Sequence, residues 1–364
     1  MERLLLSLIF VCSFALPIVA QERVIEEIIV TTTKKEASTQ DLPISIEALS
    51  SEALEERQIF DVQSLSQQVP GLIHSKALGS GTSINIRGSG PPGVGASVVD
   101  SVVSAINGHS VTNSILSDAG FLDLDRVEVL KGPQGTLNGR NAVGGLINYI
   151  PKRPGNEFGG YAKVRLGDYD LAHLQAAIDI PLSDSVRTRI AVQSYDRDGW
   201  VYNVHTKNQV DDRSQMDARL SIDWDINDTT LLELTYQVNE GEDTRFNIGQ
   251  IYCDKDPLMG CDPYTLGQMG QGSHSAGAFG GAFYLIANLI PAATYDMYQG
   301  AYQIKDIDEV NHNIDPRHNQ KFQFGQIKLS KELESGKIEA KVSYDQRDYY
   351  HHQDNEYNVG VAGL

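Results

Sequence analysis

Cysteine is scarce in this chain. Of the three, Cys12 falls in an N-terminal apolar run, and Cys253 and Cys261 stand close together further on. Ile9, Phe10 and Val11 are too bulky for a lipoprotein cleavage box, so Cys12 belongs to the run itself. Positive charge is also short: 30 Lys and Arg face 48 Asp and Glu, a formal net charge of -18. A nucleic-acid binder carries a basic face, and this balance argues against one. Long hydrophobic runs are missing beyond the N-terminus. The nearest, residues 282–293, is too short to cross a bilayer as a helix. Life in a membrane then requires a closed barrel of strands. Catalytic sets are missing too. No Ser/His/Asp arrangement and no carboxylate pair stands out, so neither enzyme activity nor a cofactor is expected. Residues 88–93 match the spacing of a dinucleotide fingerprint, but Pro91 and Pro92 remove two of the amides such a site offers to pyrophosphate.

What is present starts with an export signal. Arg3 and the α-amine precede an apolar run over residues 4–19, with cleavage expected after Ala20. A membrane anchor is the alternative; the run is short and carries Pro17 near its end. In an exported chain Cys253 and Cys261 are expected to form a local disulfide. The rival is a metal site with Asp254, Asp256 or Asp262, but these lack a matching His or Cys pair.

Residues 21–39 are polar apart from one apolar patch and predict a flexible arm. A small α+β unit is predicted over residues 40–154. Ser50 is a good helix N-cap, with Leu49 placed to staple onto Leu54, and Asp61 caps a second helix that Pro70 and Gly71 stop. Strands are expected at residues 72–76, 83–87, 98–106, 126–130 and 145–149.

After residues 151–154 the pattern changes to period two. Val164 and Leu166 share a face against Tyr161, Lys163 and Arg165. Leu174, Ala176 and Ile178 oppose His173, Gln175 and Asp179. Ile190 and Val192 oppose Arg187, Arg189 and Gln193. Met216, Leu220, Ile222 and Trp224 oppose Asp217, Arg219, Ser221 and Asp223. Leu232, Leu234, Tyr236 and Val238 oppose Glu233, Thr235 and Gln237. Ile338, Val342 and Tyr344 oppose Glu339, Lys341, Ser343 and Asp345. Such alternation suits a barrel around a wet lumen, although a soluble sandwich alternates as well. One segment breaks step: Phe322 and Phe324 differ in parity from Ile327 and Leu329, which predicts a bulge at Gly325 or Gln326. Connections after alternate strands are short (residues 183–185, 227–229 and 334–336). The others include a longer loop at 198–213 and a very long one at 241–318. This asymmetry favours a membrane barrel with external and periplasmic ends. About seven strands are expected over residues 155–364. That is an odd number and too few for a plugged transporter, so an incomplete barrel is expected.

The run over residues 126–148, RVEVLKGPQGTLNGRNAVGGLIN, is similar to the plug signature of TonB-dependent outer-membrane receptors. Residues 40–46 and 84–88 add to the resemblance. It places Arg87, Gly88, Arg126, Glu128, Gly132, Pro133, Gln134, Gly135, Gly139, Arg140, Asn141, Gly144, Gly145 and Asn148 in the plug motif. Ile25, Glu26, Glu27, Ile28, Ile29, Val30 and Thr31 resemble the family's TonB box. Local residues alone leave two readings of that segment open, a first strand of the plug or an edge strand added to a partner's sheet. The resemblance implies the second. It further implies an α+β plug inside an antiparallel transmembrane β-barrel in the outer membrane of a Gram-negative bacterium. The implied partners are TonB with ExbB–ExbD, outer-membrane lipid and an extracellular small-molecule ligand such as a ferric siderophore. A plug-only periplasmic module and a passive porin-like channel are the alternatives. At Asn107-Gly108 the family often carries Asp, a change expected to affect only the turn.

Arg87, Arg126 and Arg140, with inward Arg187, Arg189 and Arg219, are candidates to pair with Asp217, Asp223 and Glu233, either as plug–wall packing or as ligand contacts. His351 and His352 are expected in an external loop, with Asp354 and Glu356 nearby; adjacent residues point apart, which disfavours a metal site. Tyr295, Tyr298 and Tyr302 are loop aromatics suited to a ligand or to packing.

Overall fold

The computed structural model describes residues 42–76, 82–90, 101–111, 120–139, 141–245 and 308–352, with residue 306 and the strand pieces 29–30, 37–38, 251–253, 255–256, 260–261 and 274–276. In the leading unit, β1 (Ser45–Ser50) runs directly into α1 (Ser51–Glu56). Ser50 ends the strand and caps the helix, its Oγ accepting from the Ala53 amide at 3.3 Å. A reciprocal box starts α2 (Val62–Gln68): the Ser64 amide donates to Asp61 Oδ1 at 2.7 Å, and the Asp61 amide donates to Ser64 Oγ at 3.1 Å. Both helices begin where the capping residues predict. Leu49, Leu54, Val62 and Leu65 join one buried cluster with Ile84, Val127, Val129 and Ile147.

A hairpin, β2 (Leu72–Lys76) with β3 (Thr82–Ile86), follows. Then β4 (Val102–Ile106), β5 (His109–Val111), β6 (Leu124–Lys131) and β7 (Gly145–Pro151) join β1 in a five-stranded sheet. The order is β1-β6-β7-β4-β5, with β4 and β7 parallel. β7 is buried along its whole length, which explains its nearly continuous apolar sequence. A short helix, α3 (Gly135–Asn138), sits between β6 and β7. β1, β5 and α3 were not foreseen; β5 and α3, at three and four residues, are too short for periodicity to reveal, and β1 runs straight into the helix whose cap dominates the local signal. Within the expected arm, Ile29–Val30 pairs with Ala37–Ser38 and Val30 is buried, so these four residues form a small ladder.

The second unit is one antiparallel sheet in chain order: β8 (Gly159–Gly167), β9 (Leu171–Ser183), β10 (Val186–Arg197), β11 (Arg213–Asn227), β12 (Thr230–Asp243), β13 (Arg317–Leu333) and β14 (Gly336–His352). Among the described residues no strand pairs beyond β8 or β14. Burial inverts the pattern of a soluble protein. Val164, Leu166, Leu174, Met216, Leu220, Trp224, Tyr236, Ile327 and Val342 are exposed on one face, while Arg189, Gln193, Asp217, Arg219, Asp223, Asn239 and Gln320 are buried on the other. The outward apolar rows on β11 run from Met216 to Ile226. Tilted as barrel strands are, they cover roughly 25 Å, the height of a bilayer's apolar band. A sandwich buries its oily rows; this sheet exposes them and seats the leading unit on its polar face.

Two expectations are corrected. No bulge interrupts β13. Its pairing with β12 runs without a shift from Thr230↔Lys331 to Asp243↔His318. Phe322 and Phe324 simply point inward, where they pack on Ile106 and Val111 of the leading unit. The parity break records a change of partner along one face. His351 and His352 lie within β14, opposite His318 and Arg317, and not in a loop. At one end of the sheet, parts of the two long connections join: Val201–Asn203 pairs with Asn208–Val210 and lies parallel to Glu309–Val310.

Gly145 is the glycine on which the leading sheet most depends. It adopts φ +155, and a Cβ there would lie 2.3 Å from the Leu130 carbonyl oxygen and 2.7 Å from Ile86 Cδ1. Gly145→Ala is expected to cost about 1–3 kcal/mol from strain and overpacking. Gly135→Ala, where a Cβ meets nothing, is expected to stay within about 0.5 kcal/mol of the parent. Thermal unfolding of the two variants checks the contrast.

Candidate functional site: the junction of plug and wall

The centre of the junction is Asp123, immediately before β6. Its backbone sits at φ +45, which turns the carboxylate out of the plug toward the wall. Leu122 beside it packs on Ala177 and Ala191 of β9 and β10. Arg189 grips the carboxylate with both arms of its fork, Nε to Oδ2 at 2.8 Å and Nη2 to Oδ1 at 2.7 Å. Arg219 donates through Nη2 to Oδ2 at 3.0 Å and through Nη1 to the Leu122 carbonyl at 2.8 Å. Tyr161 Oη donates to Oδ1 at 3.1 Å. Arg189 also pairs with Asp179. Two buried guanidiniums thus meet two carboxylates, one from the plug and one from the wall, and the charge cancels. Burial by itself pushes the Asp123 carboxyl up. The Arg189 hydrogen bond and the Arg219 charge outweigh that and hold it below its ordinary 3.8.

Polar contacts at two other places help to tie the plug down. Arg153, just after β7, pairs with Asp223 and, at 3.3 Å, with Glu233, which Lys328 also reaches at 3.0 Å. On the opposite side the β4–β5 turn meets β13 and β14. Asn107 Nδ2 donates to Gln326 Oε1 at 2.7 Å, Lys341 Nζ donates to the Asn107 carbonyl at 2.6 Å, and His109 lies 2.8 Å from Asp345. Asn107 therefore does more than shape its turn.

The residues of the plug motif lie elsewhere. Arg87 donates to Ser45 Oγ at 2.8 Å, and Arg126 pairs with Asp125 and Glu128. Asn148 donates to the fully buried Glu128 at 3.2 Å and accepts from the Gly108 amide at 2.9 Å. Gly132, Pro133, Gln134, Gly135 and Gly139 lie on the loop and short helix between β6 and β7, closed by the Gly132 amide on the Gly144 carbonyl at 3.0 Å. Asn141 follows at φ +73, and Gly144 and Gly145 lead into β7. Among the described residues, Arg87 and Arg126 make contacts within the plug and brace it there. Arg187 pairs with Asp225 at 2.5 Å, and Asp217 is held by the amides of Gln193, Gln215 and Asn239 at 2.8, 2.9 and 2.6 Å. Asp123, Arg153 and His109 were not singled out beforehand. The available signal was two inward arginines on neighbouring strands, which require an acid opposite them.

Ile25, Glu26, Glu27, Ile28, Thr31, Arg140, Tyr295, Tyr298, Tyr302, Asp354 and Glu356 lie outside the described residues, as do the side chains of Ile29, Cys253 and Cys261. Among the described residues no group of His, Cys, Asp and Glu has the arrangement of a metal site.

Asp123→Ala leaves two buried guanidiniums with one fewer carboxylate and is expected to lower the unfolding free energy of the plug by about 3–5 kcal/mol, measured as resistance of the full chain to denaturant and protease. Because the folded-state pKa is depressed, this stabilisation is complete above pH 3.8 and declines as pH falls through the lowered value. The gap between the parent chain and Asp123→Asn is therefore expected to persist at pH 5 and to close only in stronger acid.

Comparison with known proteins agrees with this geometry. Residues 38–146 match the model of the TonB-dependent Receptor Plug Domain. The ferripyoverdine receptor of Pseudomonas aeruginosa is 28% identical over 192 residues, 50% of this chain and 22% of that protein. Among solved structures, the siderophore receptor PiuA from Acinetobacter baumannii superposes with a TM-score of 0.64 at 17% identity, over 86% of this chain and 38% of that one. The ferric yersiniabactin uptake receptor FyuA from Yersinia pestis gives 0.62 at 15% identity, over 85% and 42%; at such identities the likeness is one of fold. The matched regions span 19% to 35% of the curated relatives' lengths. With the leading unit seated on the polar face of an outward-apolar sheet, residues 38–146 match a TonB-dependent receptor plug domain, and the chain is similar in fold to the plug and wall strands of outer-membrane receptors of that kind.

Proposed function

We propose that this protein serves energised uptake of a scarce solute across the outer membrane, a ferric siderophore being the favoured cargo. One observation carries the proposal: a domain matching the receptor plug over residues 38–146 is fastened by buried charge pairs to the polar face of a barrel-type sheet. A passive pore has no use for such a fastening. A seated plug blocks the lumen and has to be moved, which needs work supplied from outside. The segment Ile25–Thr31 is the handle in this scheme, adding as a strand to TonB, with ExbB–ExbD supplying the energy. Residues 1–20 act as the export signal, 40–154 as the plug and 155–364 as wall, with the long connections on the external side. Support for the cargo comes from relatives that are a ferric-pyoverdine 358 receptor of Pseudomonas putida and a ferripyoverdine receptor; a vitamin B12 transporter of Vibrio cholerae matches as well.

Val30→Pro removes a backbone donor and resists strand addition. The full chain is expected to bind the C-terminal domain of TonB, and the variant to lose that binding while its plug still unfolds in a cooperative transition, lowered only by loss of the Val30–Ala37 pairing. Gram-negative cells producing the protein are expected to accumulate radioactive iron supplied as ferric pyoverdine only when TonB is present. Uptake indifferent to TonB, or equal TonB binding by Val30→Pro, would defeat the proposal.

A further inference from the structure

A cavity of about 620 Å³ separates α1 and the residues after it from β8 and β9. Lys152, Lys163 and Arg165 line it, beside Phe60 and Phe121. In a chain of net charge -18 a cationic concavity is unexpected. Asp123 also borders it but is already committed to Arg189 and Arg219. That leaves three cations facing two carboxylates, Glu52 and Glu55. Only Lys163 has an ionic partner, Glu55 at 2.5 Å, and that pair is largely exposed. Arg165 lies flat over the Phe60 ring at 3.3 Å, and among the described residues its guanidinium makes no ion pair. Lys152 makes no contact ion pair among the described residues, and its charge acts on Glu52 from a distance.

We infer that this cleft is a binding site for an anionic aromatic solute, whose carboxylates exchange for Glu55 on Lys163 and engage Arg165, itself backed by Phe60, while its ring lies against Phe121. A planar guanidinium held open by an aromatic face is preorganised for a carboxylate fork. The neighbouring lysines add charge without fixing direction. Because Glu55 belongs to α1, an incoming anion also releases the ion pair that ties this helix to the wall. The site deepens the uptake proposal and depends on it only for its place along a path; binding itself does not.

The probe is benzene-1,3,5-tricarboxylate, a rigid aromatic trianion too hydrophilic to enter micelles, titrated calorimetrically into the full chain in detergent. Arg165→Ala is expected to weaken binding about tenfold, the usual loss for one charge-assisted hydrogen-bonding partner. Glu55→Gln is expected to tighten it by frank competition relief, a gain that misfolding cannot imitate. Arg187→Ala, whose partner Asp225 lies away from the cleft, is expected to leave it unchanged. Absence of binding to the folded chain, equal affinity in Arg165→Ala, or no gain in Glu55→Gln would overturn the site. Loss of TonB-dependent iron uptake with probe binding intact counts against the uptake proposal alone.

Discussion

A wall that turns its oily side chains outward must turn its polar ones inward, and every charge carried inward loses water. Arg189 and Arg219 stand on adjacent strands, both almost wholly buried. Isolated guanidiniums in that position would cost several kcal/mol each. Asp123 and Asp179 neutralise them, and Asp123 comes from a different domain. The wall's charge requirement is thus met partly by the plug. Neither part is electrostatically complete alone, and this dependence explains why an α+β unit with its own core sits firmly against a sheet it does not pair with.

The same rule sorts the remaining contacts. Pairs on the outward rim, such as Lys321 with Glu240 and Arg317 with Glu242, lie in solvent and contribute little. Apart from the exposed Lys163–Glu55 pair, those between plug and wall are buried or half-buried and hold geometry. They come from Asp123, Arg153 and the Asn107–His109 turn, while Phe322 and Phe324 add an apolar patch against Ile106 and Val111. The plug motif does internal work instead: Arg126, Glu128 and Asn148 form a buried polar cross-brace, and Gly145 permits β6 and β7 to approach.

Much of this architecture was legible residue by residue. Ser50 and Asp61 start helices because their oxygens satisfy amides that a helix leaves bare. The alternation around Asp217, Arg219 and Asp223 marks a strand with two unlike faces. Failures had local causes. β5 and α3 are too short to show a period. The parity change between Phe324 and Ile327 looked like a bulge because an inward apolar residue is invisible as such until its partner on the plug is known. The plug acid that Arg189 shares with Arg219 lies 66 residues away from it in sequence, and no local pattern connects them.

The sequence by itself determined the wall strands, their alternation, the short and long connections and the helix caps, because these follow from periodicity and from side chains that act within a few residues. Only the tertiary structure decided which face of the alternation meets the plug, which carboxylate receives each arginine and where a cleft remains. Those outcomes depend on long-range electrostatic and steric matching between two folded units, and charges placed far apart along the chain acquire partners only when the units come together.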